Sequence, residues 1–315
     1  MRLALLLLLT AAPAFATETI VIRDLRSPVD KSYRKMVQGM DLFAERHALA
    51  PAAELRYRVL PRKRDTDIHD VQLRLLGDTV KQPVALAADG TFTLGRDAKA
   101  LAEDAVVSAN RSAQTMTWRA DIRTPGLPAN TRRLGDLRLE CQVGMRAGLV
   151  SQYPSLLDRF FNAMQRPADY CNGREVRYLF FAEQPIFGVA LHDGARREVQ
   201  PAARLYAGVL VGDTPQAERR YCDCEALLDR AYTLPLGDQS WPDDTLVELE
   251  PMDAAARAGD PVAGYTKPEV AAALGDAKRL RFDNGYEVWD YGVGKGEMMV
   301  LIAPSGVAAK SRTLP

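Results

Sequence analysis

Three histidines, His47, His69 and His192, and four cysteines, Cys141, Cys171, Cys222 and Cys224, are the side chains best suited to bind a metal or attack a substrate. The histidines fall in three separate segments, and no H-E-x-x-H, G-x-S-x-G or Walker pattern surrounds any of them. His69 stands near Asp65, Asp67 and Asp70, a donor set that could hold a hard cation. The D-x-[DN]-x-[DN]-G spacing of a calcium loop is missing, and the stretch reads as a solvated polar loop. The acid pairs Glu103-Asp104 and Asp243-Asp244 suit turns better than general acid–base work, which needs a shared cleft. Gly292, Gly294 and Gly296 precede a strand rather than a helix, unlike a dinucleotide loop. No catalytic, cofactor-binding or metal-binding residue is expected, and the chain is not expected to be an enzyme. Arg62, Lys63 and Arg64, with Arg56 and Arg58, form a basic cluster read as a solvated strand end; anionic lipid or polysaccharide headgroups are the alternative. Trp118, Trp241 and Trp289 read as core anchors rather than sugar platforms.

What the cysteines do depends on the compartment. Met1-Arg2 is followed by an apolar run from Leu3 to Leu9 and by Ala14-Phe15-Ala16, an A-x-A cleavage pattern. This is a signal peptide over residues 1–16, cleaved after Ala16 to leave Thr17 first. No cysteine follows the cleavage site, so a lipid anchor is not indicated. A periplasmic location is expected, where an even cysteine count reads as two disulfides. A Cys222–Cys224 bond would close a very small ring. The favoured pairing therefore joins Cys222 and Cys224 separately to Cys141 and Cys171, with Cys141–Cys171 plus a strained or reduced Cys222/Cys224 pair as the alternative.

Composition bounds the rest. The chain has 315 residues, 47% hydrophobic and 26% charged, within globular usage. At roughly 150 residues per domain, that suggests two or three domains. Lys+Arg and Asp+Glu are both 41, and a nucleic-acid partner is disfavoured because such proteins need surplus cations. The mature body has no apolar run of about 18 residues, so no transmembrane span is expected.

The positioning elements follow from periodicity. A short strand is expected at residues 19–22. Ser27-Pro28-Val29-Asp30 reads as a helix start, and Val29, Tyr33, Met36, Val37, Met40 and Phe43 give one apolar helical face ending near His47. With that helix, residues 17–50 form an N-terminal strand and helix. Residues 51–126 read as a first β-sandwich-like domain. Its strands are expected at 55–59, 71–75, 105–109 and 115–122, with a hairpin of 84–86 and 92–94 around Asp89-Gly90. Residues 127–170 read as a helical connector. Residues 171–255 read as a second β-rich domain holding the disulfides. Strands are expected there at 178–182, 186–191, 205–211, 232–236 and 245–249, with a short helix at 225–230. The two β segments share a pattern. Val71 to Asp78 runs on to Pro83-Val84 as Val189 to Gly194 runs on to Glu198-Val199. Phe92-Thr93-Leu94 precedes Glu103-Asp104 as Tyr232-Thr233-Leu234 precedes Asp243-Asp244. Duplication and coincidence both remain open. Asp89-Gly90-Thr91-Phe92-Thr93-Leu94 also resembles the hairpin of prealbumin-like sandwiches, with the remainder of the chain resembling uncharacterised exported bacterial proteins.

Residues 256–315 carry the most specific pattern. Thr266-Lys267-Pro268-Glu269 is a capping box, Val270, Ala273 and Leu274 give a buried face, and Gly275 ends the helix. Arg279 to Phe282, the Asp283-Asn284-Gly285 turn, and strands over 286–291, 297–302 and 307–310 follow, with Trp289 and Tyr291 on one face. Gly264-Tyr265-Thr266-Lys267-Pro268-Glu269-Val270, Leu274-Gly275, Gly285, Trp289, Tyr291, Glu297 and Ser305-Gly306-Val307 resemble the BamE (SmpA/OmlA) family. That resemblance implies a helix pair on an antiparallel meander, and a docking module with Thr266, Glu269, Gly275, Trp289 and Tyr291 at its heart. It also implies an envelope protein partner and peripheral contact with the outer membrane. The fold class expected is mixed α+β and multi-domain. The expected function is non-catalytic protein–protein interaction in the cell envelope, in outer-membrane assembly or integrity. The alternatives are an exported inhibitor or ligand-binding protein for a hydrolase or glycan, and third, an uncharacterised enzyme.

Overall fold

The computed structural model describes residues 28–150, 167–173, 178–210, 225–292 and 296–314. The signal peptide, the strand expected at 19–22, and Cys222 and Cys224 lie outside them. The fold is mixed and strand-rich, with five antiparallel sheets. No helix among the described residues is long and apolar enough to cross a membrane.

The first lobe opens with β1 (Pro28–Ser32) and α1 (Tyr33–Glu45). The helix start expected at Ser27-Pro28 is therefore corrected. Pairing of β1 with β6 (Val106–Ser112) holds residues 28–32 extended, and Ser32 caps the helix by accepting from the Lys35 N–H. The rest of the lobe comprises β2 (Glu54–Pro61), β3 (Leu73–Leu76), β4 (Lys81–Val84), β5 (Thr91–Phe92), α2 (Ala98–Ala102) and β7 (Met116–Arg123). One sheet has the order β1-β6-β3-β4 and the other β5-β2-β7. Leu73, Leu75 and Val107 from the first share a buried cluster with Tyr57, Val59 and Trp118 from the second. The Asp89-Gly90 turn forms, with the Ala87 N–H donating to the Thr91 carbonyl, yet β4 and β5 enter different sheets. The predicted hairpin is corrected accordingly.

The second lobe has β8 (Thr131–Arg133), α3 (Leu134–Arg146), α4 (Pro167–Cys171), β9 (Phe180–Phe181), β10 (Ile186–Asp193), β11 (Arg196–Val199), β12 (Ala231–Tyr232) and β13 (Leu246–Pro251). Its strand order is β11-β10-β13-β8, with β12 and β9 paired separately. The strand expected at 205–211 is absent from the described part of that stretch. Residues Ala202–Arg204 and Tyr206–Gly208 form single 3-10 turns, and Tyr206 and Ala207 take positive φ. Leu205, Tyr206 and Leu210 are buried there without a strand to hide them. The expected helix at Glu225–Arg230 is a 3-10 helix.

The two lobes repeat one connectivity. In each, a strand leads straight into a long helix, the next strand pairs with a later short strand (β2 with β5, β9 with β12), and a hairpin lies beside the returning strand; β2 also pairs with β7, a strand without a counterpart among the described residues of the second lobe. Registers agree in detail. Leu76 pairs with both Lys81 and Val106, as His192 pairs with both Arg197 and Leu246. The Tyr33 N–H donates to Ala105 O at 3.0 Å, and the Leu134 N–H to Thr245 O at 2.8 Å. The ring pairs Tyr57–Phe92 (5.3 Å) and Phe180–Tyr232 (5.5 Å) are both tilted by 30°. The repeat left open on sequence grounds is thus present in the strand pairing.

Helix α3, in the stretch read as a connector, is buried on every side. Leu139 and Val143 belong to the first lobe's core, and Leu134, Leu137 and Cys141 to the second's. It crosses α1 where a Cβ on Gly39 would lie 2.8 Å from that of Ala147, so Gly39 lets the two equivalent helices meet.

The C-terminal unit contains α5 (Lys267–Leu274), β14 (Lys278–Arg281), β15 (Glu287–Asp290), β16 (Glu297–Ile302) and β17 (Ala308–Leu314), in meander order. One helix, not the expected pair, backs this sheet among the described residues. Alternation divides the strands between two cores: Leu280, Val288, Met299 and Leu301 pack into the second lobe, while Trp289, Tyr291, Val300 and Ile302 pack with Val270.

Candidate functional site

The capping box forms as its residues require. The Glu269 carboxylate accepts from the Thr266 N–H and hydroxyl, both at 2.8 Å, and is held below the usual carboxylate range by those bonds. Gly275 closes α5 with φ 84°. Trp289 and Tyr291 share the small core under the helix; the Trp289 indole N–H donates to Glu287, and the Arg279 guanidinium lies 4.0 Å from the ring centroid. Of the interaction residues expected at this end, Trp289 and Tyr291 lie in the unit's interior, whereas Thr266, Glu269 and Gly275 are exposed at the two ends of α5. The unit's surface feature is Tyr265, the one exposed large apolar side chain among the described residues, at 41%. Its backbone is fixed, the carbonyl accepting from the Ala308 N–H at 2.7 Å and the N–H donating to Val262 at 3.0 Å. A rigid, partly exposed tyrosine beside a capped helix start offers an amphipathic contact at low entropic cost.

The disulfide differs from the favoured pairing. Cys141 on α3 bonds Cys171 on α4, with Cα atoms 6.0 Å apart, which overturns the cross-links to Cys222 and Cys224. The cause is tertiary: the start and end of this loop return to one buried place, and both cysteines are wholly covered.

The histidines remain apart. The His47 Nε2 lies 3.0 Å from Ala53 O, the His69 N–H donates to the Asp67 carboxylate, and His192 on β10 faces Glu248 at 3.5 Å. Asp70 is engaged by Arg111. The acid pairs hold loops, as expected of turns. Glu103 accepts from the Thr79 and Val80 N–H groups and the Thr79 hydroxyl, which depress its pKa to about 2, while Asp104 pairs with Arg34. In the second lobe Asp243 pairs with Arg138 and Asp244 with Arg133. In the glycine run, the Gly292 N–H donates to Asp290, and residues 293–295 lie outside the described set.

The basic cluster is exposed where β2 ends, at Lys63 and Arg64, and half-buried at Arg56, Arg58 and Arg62, and its arginines are also paired within the fold. Arg56 donates to Thr91, Arg58 to Asp121 and the Asp89 carbonyl, Arg62 to the Met116 carbonyl, and Arg64 to Asp229. Trp118, Trp241 and Trp289 are buried, as core anchors should be.

Sequence reading missed a buried ionic seam along α3. Arg132 donates to Glu140 at 2.8 Å and to Ile122 O at 2.9 Å, and the Ile122 N–H donates to Glu140 at 3.1 Å. Burial pushes the Glu140 carboxyl up against the pull of Arg132. Burial also works to raise Asp121, but Arg132, Arg123 and Arg58 together hold it low. Arg119 lies over Tyr178 (5.8 Å) and Phe181 (5.4 Å) rather than over an acid. Nothing in a single-period pattern marks these charges as internal, since their partners stand in other elements. The seam ties β7, β8 and α3 together, pairing Arg132 with Glu140 and Asp121 with Arg58 and Arg123.

No family model matches this chain, and no curated protein or solved structure matches it.

Proposed function

We propose that the protein is an exported, non-catalytic adaptor of the bacterial cell envelope that docks partner proteins through its C-terminal unit, in support of outer-membrane assembly or integrity. The observation that carries this reading is Tyr265: an amphipathic ring of the kind enriched at interfaces, exposed on a backbone pinned by two hydrogen bonds. The leader over residues 1–16 and the likeness of residues 256–315 to the BamE family support the compartment and the role. The ionisable groups of the α3 seam are engaged in tying the scaffold, which supports a binding role over bond chemistry.

The test places a photo-crosslinking amino acid at position 265 in the full chain, expressed with its own leader in a Gram-negative host. A second variant carries it at Ala195, an exposed hairpin position on the second lobe. Discrete envelope-protein adducts at 265 and not at 195 are expected. Identical adducts at both positions, or none at 265, would overturn the proposal.

A further inference from the structure

The internal repeat gives one lobe a structure that the other lacks. In the second lobe α4 sits against α3, and Cys171 on it is bonded to Cys141 on α3. A Cβ on Gly237, in the loop after β12, would strike the carbonyl of Asn172 just past α4. This short helix therefore fills the angle between the long helix and the loop that follows the second short strand. Cys141, and Tyr178 and Leu234 of the same core cluster, are almost wholly buried.

The matching angle in the first lobe is open. By the shared registers Met40 stands where Cys141 does, Leu55 where Tyr178 does, and Leu94 where Leu234 does. All three are only half-buried. With Phe43, His47 and Arg96 they line a groove of about 410 Å3. Among the described residues no counterpart of α4 covers it, because α1 is followed by the 3-10 turn His47–Leu49 and then directly by β2. The volume falls within the range of ligand-binding clefts.

We propose that this groove binds one helical turn of a partner polypeptide, with an apolar side chain directed at Met40, as α4 directs Cys171 at Cys141. The occupant of the second lobe identifies the kind of ligand, since the two sites are built from equivalent elements. It is a short helix with a small apolar residue and a neighbouring aromatic one, Tyr170 in α4. Arg96, paired with Asp41, and His47, whose Nε2 meets the Ala53 carbonyl, line the open site where Leu236 and Gly148 stand in the closed one, and make its wall more polar. The inference is independent of the Tyr265 reading, which concerns the other end of the chain.

A free peptide this short has little helix, so a reversible tether is used to raise its effective concentration. The variant Met40→Cys of the full chain is equilibrated in a thiol–disulfide buffer with a peptide of residues 167–173, Pro-Ala-Asp-Tyr-Cys-Asn-Gly. The mixed disulfide is measured by intact mass, with the unsubstituted protein as baseline. Capture is expected to be at least about tenfold greater than at Ala195→Cys and than with a scrambled peptide. Should Met40→Cys fail to fold, Leu55→Cys across the groove carries the same comparison. Equal capture at the control position overturns the proposal. Capture of octanethiol as readily as of the peptide also overturns it and assigns the groove to a small apolar ligand. A dimer of the unsubstituted protein that is lost in Leu94→Arg overturns it in favour of a second copy.

Discussion

Removing the Cys141–Cys171 bond tests whether the seating of α4 is a covalent device. The bond closes a loop across a sequence separation of 30 residues. Constraining a loop of that length lowers the entropy of the unfolded chain by about 12 cal/mol/K, or about 3.6 kcal/mol at 25 °C. Both sulfurs are wholly buried. Cys141→Ala/Cys171→Ala should therefore also lose packing, on the order of 1 kcal/mol. Urea unfolding of the double variant should show a total loss of roughly 3.5–5 kcal/mol, with a larger m value because the uncrosslinked chain exposes more surface. The effect should be local as well as global. Hydrogen exchange in residues 167–173 should accelerate more than in β16, since α4 has fewer than two turns and leans on the bond to stay seated. A loss below about 1 kcal/mol, or unchanged exchange in α4, would show that packing alone holds the short helix and that the entropic reasoning is wrong here.

The remaining predictions concern charge. Glu140→Leu leaves Arg132 buried without its partner and strips the Ile122 N–H of its acceptor. It should cost about 3–5 kcal/mol, whereas Arg132→Leu/Glu140→Leu together should cost far less. A double-mutant cycle in urea that finds no coupling would contradict the pairing. Glu103 is held at a pKa of about 2 against an ordinary 4.5. Its depressed folded value means that its stabilisation is present above about pH 4.5 and is lost as pH falls towards 2. Urea curves for wild type and Glu103→Gln should therefore stay apart at neutral pH and converge over that acid window; a constant gap down to pH 2 would refute the assignment.

Local signals were reliable where one element satisfies itself. Thr266 and Glu269 complete a cap within four residues, and Asp283-Asn284-Gly285 turns back on itself with the Gly285 N–H donating to Phe282. The meander and the common face of Trp289 and Tyr291 followed from a period of two. Signals failed where a distant segment chose the outcome. Pro28–Ser32 resembled a first helical turn until β6 paired with it, and Asp89-Gly90 made its turn while its flanks joined different sheets. Of the Tyr265 site, the motif was legible but the exposure of the ring was not. Of the first-lobe groove, Met40 and Phe43 read as ordinary core positions, because their openness depends on which distant segments pack over them, and among the described residues none does.

The order of residues alone determined the kinds of element: alternating strands, a capped helix and a meander, each dictated by spacing over a few residues. Tertiary structure alone decided which cysteine met which, which charges went inside, and that the two lobes share one connectivity. Those outcomes rest on contacts between residues far apart in the chain. Burial and pairing there are properties of the assembled neighbourhood, and no short window of sequence contains both partners.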